Sequence, residues 1–74
     1  MSVKAVKYTT HARQRMALRG ITESMVEETI GFPERTSLGY LGRELAYRTY
    51  PAGVLKVVHS EKPDRFVVIS TIWE

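Results

Sequence analysis

A chain of 74 residues with net charge +3, 43% hydrophobic residues and no cysteine has room for one thin core, because a domain this small buries only roughly 60% of the surface its unfolded form exposes. The missing cysteines exclude a disulfide-stapled secreted scaffold and fit a reducing, cytoplasmic compartment. MSVKAVKYTTHARQRM holds no leader-like apolar run, and the longest apolar stretch, Phe66 to Ile69, is far too short to enter a membrane. A single domain over residues 1–74 is expected, with disorder confined to the first few residues.

Lys4 to Tyr8 alternates weakly and reads as a short first strand or an extended lead-in. Thr9 or Thr10 offers an N-cap hydroxyl and Gly20 a left-handed stop, which predicts a helix from about His11 to Arg19 made of good helix formers. Thr22 caps a second helix, with Glu23 at the positive end of its dipole and Gly31 and Pro33 ending it. Met25, Val26, Thr29 and Ile30 share one arc of that helix, which is too short to stand without packing.

After Pro33 the pattern turns to a β-type period. Leu38 to Gly42 reads as a glycine-punctuated strand end or turn. Glu44 to Tyr50 alternates, with Leu45, Tyr47 and Thr49 on one face and Glu44, Ala46, Arg48 and Tyr50 on the other. Val54 to Ser60 and Phe66 to Trp73 are strands joined by a polar hairpin at Glu61 to Asp64. Phe66 to Ile69 is apolar on both faces, which places the last strand centrally under the helices. The expected class is α+β: two short N-terminal helices packed on one face of an antiparallel sheet of three to four strands, the other face open.

Charge is segregated along the chain. Residues 1–22 hold Lys4, Lys7, Arg13, Arg15 and Arg19 without an acid, and residues 23–34 hold Glu23, Glu27, Glu28 and Glu34 without a Lys or Arg before Arg35. A basic segment favours an anionic partner such as RNA; equally, a basic helix can face its acidic neighbour. His11, Arg15 and Arg19 stand at i, i+4 and i+8 and form one stripe spanning about 80° of the first helix. An imidazole beside guanidinium groups is what metal-free RNA cleavage needs, with His11 moving protons and the arginines holding the phosphate.

A structural explanation stands beside that chemistry. Arg15 and Arg19 can pair with Glu27 or Glu28, and His11 can help cap its own helix. His59, on the Leu55 and Val57 face, reads as a satisfied structural histidine. The tyrosines and Trp73 read as packing, although one exposed beside Arg48 or Lys56 would stack a base. No cofactor and no metal is expected, since the histidines are far apart and neither a phosphate loop nor a nucleophile elbow is present.

The run Tyr8-Thr9-Thr10-His11-Ala12-Arg13-Gln14-Arg15-Met16, followed by Arg19-Gly20-Ile21, resembles the family called domain of unknown function 4258. The resemblance continues through Val26 to Ile30, Pro33-Glu34, Leu55 to Val58 and Val68 to Trp73, nearly the whole length. It implies a relation to the RelE/ParE-like toxin fold, whose sheet carries a substrate-binding concavity. Carried over, the motif positions are His11, Arg15 and Arg19, with Thr71 matching a late-strand polar residue. Arg43, Arg48 and Lys56 join them as substrate-binding candidates on charge and expected facing. Active toxins of that fold often carry a basic or tyrosine residue near the carboxyl end, where this chain has Thr71-Ile72-Trp73-Glu74.

Two functions compete on this basis. One is a toxin-like, metal-independent ribonuclease acting on RNA and neutralised by an acidic antitoxin protein. The other is a non-catalytic module that binds RNA or a protein through the same surface; a purely structural monomer is a third.

Overall fold

The computed structural model describes residues 4–74, and the disorder expected at the amino terminus falls mainly outside them. The elements run β1 (Ala5–Tyr8), α1 (Thr10–Arg19), α2 (Glu23–Gly31), β2 (Arg35–Leu38), β3 (Glu44–Tyr50), β4 (Gly53–Glu61) and β5 (Arg65–Trp73). They build one five-stranded sheet in the order β1-β5-β4-β3-β2.

The expectation of three to four antiparallel strands is therefore corrected. β1 pairs with β5 in parallel, from Ala5↔Arg65 to Tyr8↔Val68, so the sheet is mixed. β2, in the stretch whose β-type pattern after Pro33 ends in the expected strand end or turn at Leu38 to Gly42, adds a further antiparallel strand against β3. β5 is an interior strand, but β4 holds the centre. The weakly alternating segment read as a short strand or extended lead-in is a strand of 4 residues, because a strongly apolar neighbour offers it a parallel ladder.

Both helices begin and end as their caps dictate. Thr9 accepts the Ala12 N–H in α1 and Thr22 accepts the Met25 N–H in α2, each satisfying a first-turn donor. Gly20, at φ 66°, takes the left-handed conformation that closes α1, its N–H bonded to the Met16 carbonyl. Between β2 and β3 a short 3₁₀ turn at Tyr40–Gly42 sets Leu41 at φ 59°, unusual for a residue with a Cβ.

The core lies between the helices and one face of the sheet. Ala12 and Met16 from α1, Val26 from α2 and Ile21 between them pack on Leu55, Val57 and Val68. At roughly 1.5–3 kcal/mol for each large apolar side chain buried, this is a small reservoir of stability. Parity along the strands puts Glu44, Ala46, Arg48, Tyr50, Leu55, Val57, His59, Val68 and Thr71 on the helix side, and Leu45, Tyr47, Lys56, Val58, Ser70 and Ile72 on the uncovered side. A bulge between Val58 and His59 shifts the β4–β5 register.

β1 stops at Tyr8, so the far half of β5 has no strand on the side away from β4. α1 seals that edge. The Thr9 N–H donates to the Val68 carbonyl at 3.1 Å and its hydroxyl to the Ile69 carbonyl at 3.3 Å. The Arg19 guanidinium donates to the Thr71 carbonyl at 2.6 Å, and the Trp73 indole N–H returns a bond to the Arg19 carbonyl at 2.9 Å. Removing a donor at such a half-buried place leaves a carbonyl unsatisfied. Arg19→Met, which keeps the stem and deletes the donors, is expected to cost about 1–3 kcal/mol in urea denaturation.

Candidate functional site

The stripe read from the sequence sits on α1, but its members differ in availability. Arg19 is committed to the Thr71 carbonyl. His11 is exposed and Arg15 half-buried, and no ion pair joins either to another described residue. The cross-helix pairing falls to Arg13 instead, whose guanidinium meets Glu23 at 2.7 Å and lies 4.8 Å from the Tyr8 ring centroid. α2's other carboxylates are likewise occupied. Glu27 accepts from the Tyr8 hydroxyl at 3.2 Å, and Glu28 accepts from the Tyr50 hydroxyl at 2.5 Å. Burial, then these carboxylates, push both phenols above the ordinary tyrosine range.

The remaining candidates do not form one cluster. Arg48 lies on the helix side, donating to the Phe32 carbonyl at 2.8 Å and standing 3.6 Å from Glu28, so it ties β3 to the end of α2. Thr71 is fully buried and its hydroxyl has no partner. Arg43 stands in the turn before β3. Lys56 is on the uncovered face, 3.7 Å from Glu74. Because Thr71 Oγ1 is a desolvated hydroxyl without a bond, Thr71→Val is expected to raise stability by about 1 kcal/mol, read from the thermal midpoint. A fall would mean that the hydroxyl is used.

The uncovered face holds an arrangement sequence reasoning did not assemble. Arg35 pairs with Tyr47 across β2 and β3, Tyr47 with Lys56 across β3 and β4, and Lys56 with Ile72 across β4 and β5. The result is a row running across the sheet. The Arg35 guanidinium lies over the Tyr47 ring, 3.8 Å from its centroid, on an exposed residue. Arg35 was missed because its strand was not read; the Arg-Thr-Ser-Leu alternation after Pro33 was the available signal.

On the helix side, beyond the end of α2, a groove of about 420 Å³ opens beside β2, lined by Glu44, Glu61, His59 and Phe66 among others. His59 is only 5% exposed, its Nδ1 has no partner, and its ring meets Phe66 edge-on at 5.6 Å. Burial lowers the imidazole pKa, partly opposed by Glu44 and Glu61. With its folded pKa below the unfolded value of 6.5, the unfolded chain takes up a proton that the folded chain refuses. Stability is therefore expected to fall as pH drops below about 6.5, and His59→Phe to flatten that part of the slope when urea midpoints are compared across pH.

No group of three or more His, Cys, Asp or Glu among the described residues is placed to hold a metal ion, and no described helix is long and apolar enough to cross a membrane. Neither a curated protein nor a solved structure matches the chain. A family model does, from Tyr8 to the carboxyl end, taking in the α1 stripe, both helices and all strands but most of β1. On that match, over residues 8–74, the chain belongs to the family described as Domain of unknown function (DUF4258).

Proposed function

We propose that this chain binds single-stranded RNA across the uncovered face of its sheet. The observation that supports this is the Arg35–Tyr47–Lys56 row, a guanidinium over an aromatic ring with a second cation in the next strand. The Tyr47 ring is buried under Arg35, so the guanidinium is the group left to stack bases while Lys56 meets phosphate, and the expected binding is salt-sensitive and tolerant of sequence. Lys7, exposed on β1, extends the positive charge toward the opposite edge. An acidic protein of antitoxin type is the partner that would compete for the same row.

A second reading, that bound RNA is also cut by a toxin-like, metal-independent ribonuclease related to RelE/ParE-like toxins, draws on His11 and Arg15. They stand one helical turn apart on α1 without an ion-pair partner among the described residues. Arg19 would then act by holding α1 on β5, since its guanidinium already serves the Thr71 carbonyl.

Anisotropy of a labelled single-stranded RNA separates these outcomes. Affinity is expected to fall steeply between about 50 and 200 mM salt, and Arg35→Gln and Lys56→Gln each to reduce the log–log salt slope by about 0.7. Variants that bind like the parent, or no binding at low salt, would reject the RNA assignment. Total RNA incubated in EDTA tests cleavage: products lost in His11→Ala and Arg15→Ala support the enzyme, and intact RNA removes it.

A further inference from the structure

The groove beside β2 is on the other side of the sheet from the Arg35–Lys56 row and has the opposite charge. Its ionisable lining is Glu44, Glu61 and His59, with no lysine or arginine among them. Glu44 and His59 are cross-strand partners, so carboxylate and imidazole lie side by side on the helix face. His59 Nδ1 is buried with no hydrogen-bond partner among the described residues. The far end of the site is already used by a cation: the Lys4 ammonium bonds Glu61 and lies 5.2 Å from the Phe66 ring centroid. Glu44 has no such partner among the described residues.

The groove wall formed by β2 is also a sheet edge. The strand is exposed throughout and pairs only with β3. The Gly39 N–H bonds the Arg43 carbonyl, and counting back along an antiparallel ladder from that pair turns the N–H and C=O groups of Thr36 and Leu38 outward. Leu38, at 85% exposure, follows directly, and Tyr40 and Leu41 are equally bare. Such an edge is a template for an added strand, and nothing in β2 itself blocks it: no proline and no bulge.

We propose that an extended segment of a partner protein adds to the free edge of β2 and places a lysine or arginine side chain in the groove against Glu44 and His59. Main-chain bonds to Thr36 and Leu38 supply register, Leu38 and Tyr40 cover the segment's apolar neighbours, and the half-buried Glu44 carboxylate beside His59 selects the cation. The charge of the groove argues against a nucleic acid there.

A capped synthetic peptide alternating valine and threonine around a central lysine, titrated into isotope-labelled protein and followed by NMR, tests this. Amide shifts are expected at residues 35–38, Glu44, His59 and Glu61, with a norleucine-for-lysine peptide binding about tenfold more weakly. Glu44→Gln should weaken the lysine peptide and leave the norleucine peptide unchanged. Thr36→Pro removes an outward N–H without breaking the β3 ladder, so a folded variant should lose both. Absence of shifts at millimolar peptide, equal binding of the two peptides, retained binding by folded Thr36→Pro, or shifts of the same residues by single-stranded RNA would each overturn the proposal. RNA binding on the opposite face stands or falls separately.

Discussion

The fold depends on how the half of β5 that β1 leaves unpaired is closed. A strand edge with bare carbonyls beside a core this thin would admit water to Leu55, Val57 and Val68. Here a helix does what a longer first strand would have done. Thr9 serves both as α1's N-cap and as donor to the Ile69 carbonyl, and Arg19, at the other end of the same helix, donates to Thr71 while Trp73 bonds back to it. α1 is thus pinned at both ends along β5, and its Ala12 and Met16 are pressed onto the core between the pins.

That seam sorts the helix residues by role. Arg19 and Thr9 are held by backbone partners, Arg13 by Glu23 and the Tyr8 ring, and His11 and Arg15 have no such ties among the described residues. The acidic run of α2 is absorbed in the same way, by Arg13, Tyr8, Tyr50 and Arg48. Much of the charge segregation along the chain is consumed in holding the helices together and onto the strands. Each exposed pair contributes little, typically under about 1 kcal/mol, yet together they orient two short helices that propensity could not hold.

The charged side chains away from the helices are divided between the two sides of the sheet. The uncovered side has Arg35 and Lys56 flanking Tyr47, and the helix side ends in a groove with Glu44 and Glu61 around an unpartnered imidazole. A sheet only one layer thick separates the two potentials, so one small domain can present different surfaces to partners of opposite charge.

Local chemistry was enough to read the helices, because caps and stops are written in adjacent residues: Thr9, Gly20 and Thr22 act within one turn of themselves. The alternation of β3, the apolar run of β5 and the burial of His59 with Leu55 and Val57 were legible for the same reason, since a period of two assigns faces without knowledge of neighbours. The i, i+4, i+8 stripe was real as a helix face, but the sequence could not say that Arg19 would reach a carbonyl 52 positions away, nor that Thr71 would be sealed beneath a helix. The parallel pairing of β1, the pairing of β2 with β3, the Arg35–Tyr47–Lys56 row and the acidic groove were decided by the tertiary structure alone. Each joins residues from strands distant along the chain, and register between strands is set by which apolar faces must meet in the core, a condition no single segment carries.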